Sequence, residues 1–342
     1  AGLKISSNNK EQIIDDKIQI GICFDSFVIE RWQRDRDVFV SMAKELGAEI
    51  NVQNANGDAQ VQKSQIEYFI DEKVDAIVII AIDGFNLNEE VAHAKDAGIL
   101  VIAYDRLICN SDVDLYISFD NYRVGELMGQ ALVDAGVTNS NVLMLGGSEL
   151  DNNVVLVEQG FTDVMLENGN TIADSIHATN WKAEIASDYV RDNPDVVMSC
   201  NAIMCGNDNL ASQVVPVLSE MRLAGNTIIV GQDADLEACQ RIVEGTQLMT
   251  VYKPFDVLAA EAADKAAREA AQEVYKNALA AKEKIDSNGF ASYDQKAYDE
   301  GCELLAELEA LFNDESVTGA ELQEKAEAAY GKFNKVLFVA YK

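Results

Sequence analysis

The chain has 342 residues, of which 48% are hydrophobic and 25% charged, a balance that supplies a core and excludes wholesale disorder. At roughly 100 to 200 residues per domain, the length calls for two domains or two plus an extension. With 27 Lys and Arg against 58 Asp and Glu the formal charge is −31, which repels phosphate backbones and anionic membranes. The best basic cluster, Arg31-Trp32-Gln33-Arg34-Asp35-Arg36, stands alone and carries an acid of its own, so no nucleic-acid partner is expected.

From Lys17 onward an apolar run of five to seven residues, a turn and an amphipathic helix alternate, the pattern of a parallel α/β protein. Strands are expected at Ile18 to Phe24, Glu49 to Gln53, Ile77 to Ile80, Leu100 to Tyr104 and Leu115 to Phe119. Helices are expected from Glu30 to Leu46, Ala59 to Glu72 and Leu87 to Ala97, with Gly47 and Gly98 as stops. After Asp120-Asn121 the rhythm restarts with a helix to Ala135. Strands then follow at Val142 to Leu145, Thr171 to Ile176, Val196 to Ser199, Thr227 to Val230 and Leu248 to Tyr252. Helices fall between them at Val154 to Leu166, Ala183 to Arg191, Leu210 to Arg222 and Leu236 to Val243. Two doubly wound parallel-sheet lobes are the expected fold.

Beyond Pro254 the composition shifts to Ala, Glu and Lys, and Leu258 to Lys284 reads as one long, largely exposed helix. A second helix is expected from about Tyr293 to Phe312, and a third after the Thr318/Glu321 capping box, with Leu322, Ala326, Ala329 and Phe333 at helical intervals. Lys335 to Tyr341 has the composition of a strand that would return to the first sheet. The expected division is a first lobe of 17–119 with about 255–291 and 335–342, a second lobe of 120–252, and an inserted helical pair at 292–334. The lobes would be joined by a multi-strand hinge crossed near 120, near 252 and near the end.

The six cysteines, at 23, 109, 200, 205, 239 and 302, are spaced neither like a zinc site nor like a disulfide framework. Cys23 and Cys200 read as buried thiols. Cys200 and Cys205 could ligate or pair, but no second pair follows, and neither a metal nor another cofactor is expected. No stretch approaches the roughly 20 apolar residues of a membrane span. The polar opening AGLKISSNNKEQ reads as a mature or recombinant start and says little about where the native protein resides.

In open parallel sheets, ligands bind beyond the carboxyl ends of the strands, so the polar residues there carry the candidate chemistry. They are Phe24-Asp25 leading to Arg31-Trp32, Tyr104-Asp105-Arg106, Gly146-Gly147-Ser148 followed by Asp151-Asn152-Asn153, Asn207-Asp208, Gly231-Gln232-Asp233, and Lys253 at the crossover. Carboxylates accept hydroxyl protons, Arg and Asn donate in fixed geometry, and Trp offers an apolar face, a set suited to a small neutral polyhydroxylated ligand. Singly, each acid or arginine is equally well a cap or an interlobe ion pair. Gly146-Gly147-Ser148 lacks a phosphate-binding spacing, His93 and His177 sit in no catalytic motif, and Asp235 beside Asp233 reads as a helix N-cap.

The segments ERWQRDRDVFV, NANGDAQVQKSQIE, YDRLI, DLYISFDN, VGEL, LMLGGSELDNN and GQDADLEACQRIVEGTQLMTVYKP together resemble the D-xylose-binding receptors of bacterial sugar ABC importers, within the ribose/galactose-type periplasmic-binding superfamily. The resemblance runs from about residue 17 to 260 and fades beyond. It implies a type I periplasmic-binding fold in which Arg31, Asp105 and Arg106 grip the sugar from the first lobe and Trp32 stacks on it. Asp151 or Asn153, Asn207 and Asp233 would complete the hydroxyl set from the second lobe, with Trp181 as a second stacking residue and Lys253 reaching in from the hinge. No counterpart of the calcium loop found in some relatives is evident.

The resemblance further implies a monomeric extracytoplasmic receptor that closes over a monosaccharide, D-xylose first and another pentose or hexose as the alternative, and presents it to a membrane ABC permease without turning it over. It would be periplasmic or a cell-surface lipoprotein whose anchor lies outside this sequence. The same body also serves as a sugar sensor for a chemoreceptor or histidine kinase. A repressor is disfavoured because nothing resembling a helix-turn-helix precedes Lys17.

Overall fold

In this computed structural model, which describes residues 18–45, 48–314 and 316–340, strands form where apolar residues run together and both faces are covered. β1 (Gln19–Phe24) is buried from Ile20 onward and β3 (Ala76–Ile79) throughout, while β2 (Glu49–Asn54), with Glu49 and Asn51 exposed, takes an edge. With β4 (Leu100–Tyr104) and β5 (Leu115–Ile117) they form a parallel sheet of order β2-β1-β3-β4-β5.

The two-residue alternation of β1 divides its neighbours. Ile20, Ile22 and Phe24 join Trp32 and Phe39 of α1 (Glu30–Glu45) in one core. Cys23 joins Phe69 of α2 (Ala59–Asp71) and Val91 of α3 (Asn88–Asp96) in another. Gly21 is needed on the second face, because a Cβ there would lie 2.5 Å from the Phe69 ring. The expected residues Leu46 and Gly47 at the end of α1 lie outside the described residues.

The second lobe repeats the plan. Strands β6 (Asn141–Gly146), β7 (Thr171–His177), β8 (Ala202–Cys205), β9 (Ile228–Gln232) and β10 (Met249–Val251) form a parallel sheet of order β10-β9-β8-β6-β7. In both sheets the first strand lies between the second and third, which places a switch point at the carboxyl end of β1 and of β6. The helices are α4 (Asn121–Asp134), α5 (Asn152–Glu167), α6 (Ala183–Asp192), α7 (Pro194–Ser199), α8 (Asp208–Glu220) and α9 (Leu236–Glu244).

Here one expected element changes type. Val196 to Ser199, expected as a strand, is the short helix α7, and the strand comes at Ala202–Cys205, where all four side chains are buried. Pro194 presets the first helical turn, so the β-branched pair Val196-Val197 is carried into a helix with Val197 inward.

The lobes are joined at 118–120 and again at 252–254. After the second crossing α10 (Phe255–Asn288) returns to the first lobe and packs on α1 and β4. It is less exposed than expected: Ala259, Ala262, Ala263 and Ala266 are buried in its first half, and Ala271, Ala278, Ala281 and Ile285 in its second. The second half forms a separate core with α11 (Gln295–Leu311) and α12 (Gly319–Ala340). The Thr318/Glu321 box caps α12, Glu321 Oε2 accepting from Thr318 N at 2.9 Å and Thr318 Oγ1 accepting from Glu321 N at 3.3 Å.

The returning strand expected at Lys335 to Tyr341 is not formed: as far as Ala340 these residues continue α12, and Tyr341 lies outside the described residues. Leu322, Ala326, Ala329, Phe333 and Val336 keep a four-three spacing on one buried face, and that helical phase overrides the strand-like composition of the tail. Among the described residues the lobes are therefore crossed twice, near 120 and near 252.

Candidate functional site

All ten residues singled out from the sequence line one small cavity between the carboxyl ends of the two sheets. Arg31 and Trp32 come from the first turn of α1, and Asp105 and Arg106 from the end of β4. Asp151 and Asn153 come from the start of α5, Trp181 from a 3-10 turn after β7, and Asn207 from the N-cap of α8. Asp233 follows β9, and Lys253 follows β10 at the second crossing. None is more than 8% exposed, so the lobes are closed on each other. Asp151 and Asn153, left as alternatives by the sequence, both face the cavity.

The sequence reading passed over Ile29, Asn121, Val154 and Gln232, which line the same cavity. Gln232 is legible in the sequence as a strand-end residue beside Asp233, but which end of its amide the fold ties to the Gly206 carbonyl is not. A larger groove, of about 1690 Å³ and open to solvent, lies between α10 and the first lobe. It contains none of these strand-end residues, and its Lys95 is already paired with Asp112 and Asp114.

Three residues of the cavity carry strained backbone. Asp105, Trp181 and Asp233 have φ of 63°, 58° and 101°, a region that side-chain-bearing residues avoid at a cost of order 1–3 kcal/mol each. Trp181 is seated against Gly147, where any Cβ would collide with the indole ring. Gly146-Gly147 thus provides close approach for an aromatic ring.

The cavity's charges are matched within the protein. Arg31 meets Asp105 at 3.0 Å and Asp35 at 3.2 Å, and Tyr104 donates its hydroxyl to Asp35 at 2.6 Å. Arg106 meets Asp25 at 2.7 Å and, across the lobes, Asp151 at 2.9 Å; Lys253 meets Asp233 at 2.8 Å. Burial disfavours the Asp105 carboxylate, but Arg31, then Lys253 and Arg106, outweigh it and hold the group below the ordinary carboxylate range. Arg31 is likewise held charged against burial by Asp105, Asp35 and Asp233. Burial raises Asp151, with Arg106 opposing. The Arg31 guanidinium also lies over Trp32 at 4.6 Å and over Phe119 at 5.2 Å from the ring centroids.

Arg106 Nε and Asp233 Oδ1 make no hydrogen bond but each sits in an ion pair, and the other cavity atoms left without a partner are neutral. The Asn207 Nδ2 donor, the Asn153 Oδ1 and Gln232 Oε1 acceptors, and the indole N–H groups of Trp32 and Trp181 are buried with no hydrogen-bond partner. With the charges already neutralised, the site offers separate donors and acceptors beside two aromatic faces, the requirement of an uncharged polyol. Asp235 occupies the N-cap position of α9 as expected, but its side chain makes no capping bond and instead reaches Arg34 of the first lobe at 3.1 Å.

Away from the cavity, His93 is exposed and paired with Glu67, and His177 lies between Glu149 and Glu158. All six thiols are free, with Cys23, Cys200 and Cys205 buried. Among the described residues no cluster of three His, Cys, Asp or Glu could hold a metal ion, and no helix is long and apolar enough to cross a membrane.

Residues 20–274 match the family described as periplasmic binding protein domain. The chain belongs to this family, among the sugar-binding proteins of ABC transporters. It is 42% identical over 277 residues to the D-xylose-binding periplasmic protein of Haemophilus influenzae, covering 79% of this chain and 80% of that one. It is also 42% identical over 256 residues to the D-xylose-binding periplasmic protein of Escherichia coli K12, covering 72% and 76%. Among solved structures, an ABC transporter solute-binding protein from Clostridium phytofermentans with bound β-D-glucose superposes with a TM-score of 0.66 at 28% identity, over 72% of this chain and 82% of that one. The family match ends within α10, so most of the helical extension lies beyond it.

Proposed function

We propose that the chain is an extracytoplasmic receptor that captures D-xylose between its lobes and delivers it to an ABC permease, without chemical change to the sugar. The observation that carries this reading is the set of buried, unpartnered neutral donors and acceptors around one interlobe cavity whose charges are already paired. A pentopyranose brings four hydroxyls and a ring oxygen to such a set, with C–H faces for Trp32 and Trp181. The two relatives at 42% identity named for D-xylose support that sugar over the glucose of the more distant structure.

In this mechanism the open form exposes two half-sites. Arg31, Asp105 and Arg106 hold the sugar on one side and Asp151, Asn153, Asn207 and Asp233 on the other. The sugar shifts the population toward the closed form in proportion to its preference for that form. A missing or inverted hydroxyl leaves a buried group unpaired at a cost of about 1–3 kcal/mol, which supplies epimer selectivity. The closed outline is then the shape a permease reads.

Titration calorimetry against D-xylose, L-arabinose, D-ribose and D-glucose tests the proposal. D-Xylose is expected to bind most tightly, and to be recovered unchanged after prolonged incubation. Tighter binding of another sugar reassigns the ligand, and product formation or the absence of any sugar binding overturns the reading.

A further inference from the structure

Gln232 ends β9 and Gly206 follows β8, and because Met204 pairs with Val230 in the parallel register, Gly206 and Gln232 lie side by side two residues further on. The Gln232 Nε2 donates to the Gly206 carbonyl at 2.5 Å, which fixes the amide and leaves Oε1 as a buried acceptor with no partner. Asn207, the next residue after Gly206, is fixed in the opposite sense. Its Oδ1 accepts from Leu210 N at 2.9 Å to cap α8, which leaves Nδ2 as a buried donor with no partner. Both residues line the interlobe cavity, 5% and 1% exposed.

Two neighbouring amides, each oriented by the protein, thus present one acceptor and one donor. A carboxylate satisfies Asn207 but opposes Gln232 Oε1, an ammonium does the reverse, and an alkyl group satisfies neither. A hydroxyl, which gives one hydrogen bond and accepts another, satisfies both. Resting on the sugar-binding reading above, we propose that Gln232 is a specificity-determining residue that brackets a single sugar hydroxyl together with Asn207.

The test is calorimetry with D-xylose and its four monodeoxy analogues on the wild type, Q232M and Q232E. In the wild type each lost hydroxyl weakens binding. Q232M, which keeps the length but removes the acceptor, weakens D-xylose about 10- to 100-fold. For one analogue only, the one lacking the bracketed hydroxyl, Q232M adds no more than about a further twofold loss. N207D, which keeps the α8 cap and removes the donor, singles out the same analogue. Q232E, which keeps an acceptor oxygen, still discriminates that analogue from D-xylose, and this readout stands if Q232M fails to fold.

Unchanged D-xylose affinity in Q232M, an equal loss for all five ligands, or a different analogue singled out by N207D would each overturn the inference while leaving the receptor function standing. A wild type that binds none of the sugars overturns both.

Discussion

Arg106 of the first lobe and Asp151 of the second meet at 2.9 Å with side chains only 4% and 3% exposed. The arginine also holds Asp25 at 2.7 Å and the Ala81 carbonyl at 3.0 Å, so its contacts within its own lobe survive opening while the contact with Asp151 does not. The pair is therefore a contact of the closed form. Asp151→Ala removes it together with the bond from Asn153 N to Asp151 Oδ1 at 3.0 Å that caps α5. D-Xylose affinity is expected to fall about 10- to 100-fold, in line with 1.5–3 kcal/mol for a hydrogen bond to a charged group. Asp151→Asn, which can still cap, should lose less. Calorimetry on the two variants checks the order, and unchanged affinity in Asp151→Ala contradicts it.

The chain contains two tryptophans, and both line the cavity. Intrinsic tryptophan fluorescence thus reports on the site with no other indole contributing. D-Xylose should shift the emission saturably, and Trp32→Phe and Trp181→Phe should each leave part of the response. Gly147→Ala should move the Trp181 ring off its seat and reduce affinity by at least about tenfold, with circular dichroism near that of the wild type. A wild-type emission indifferent to saturating D-xylose would contradict the placement of both rings.

Strand ends were the legible part of this molecule, because the apolar runs of β1, β4 and β9 stop at Asp25, Asp105 and Gln232-Asp233. The alternation of strand and helix decides at which edge those residues collect. Two elements were not legible. The Val196-Val197-Met198 run satisfies strand composition locally, and only Pro194 and the fully buried strand that follows make it a helix. The tail around Val336 to Val339 looks like a strand until its phase relative to Leu322 and Phe333 is counted. In the site, residue types revealed Asp105 and Asp233, whereas the role of Gln232 depends on which end of its amide is tied, a matter of angles that spacing does not encode.

Asp235 is pushed up to about 7 by burial and then by Asp233, Asp208 and Glu30, with Arg34 opposing; Asp208 is pushed to about 6, first by burial. Against an ordinary value of 3.8, the folded chain holds more protons on these groups than the unfolded chain between about pH 4 and 7. Stability from this source therefore falls as pH rises through that window. His93, raised by its bond to Glu67, acts in the same sense, and Asp105, held low, matters only under more acid conditions. The melting temperature should be higher at pH 5.5 than at pH 8, and Asp235→Asn should flatten the dependence. An equal slope in wild type and Asp235→Asn, measured calorimetrically in matched ionic strength, would show that Asp235 is not the group responsible.

Phe333 of α12 is fully buried in the separate core of the helical extension, with Gly301 of α11 leaving room for its ring. Truncating a buried Phe costs about 3–5 kcal/mol, which is enough to loosen a three-helix unit. The tie between α10 and α12 would remain, through Gly319 N, which donates to Asp264 Oδ1 at 2.7 Å. Among the described residues none beyond Lys253 lines the cavity, and the first half of α10 packs on α1 and β4. Phe333→Ala should therefore raise protease sensitivity between residues 289 and 319 while D-xylose affinity stays within about twofold of the wild type. A parallel loss of affinity would mean that the extension is coupled to closure through α10, and that the two cores behave as a single cooperative unit.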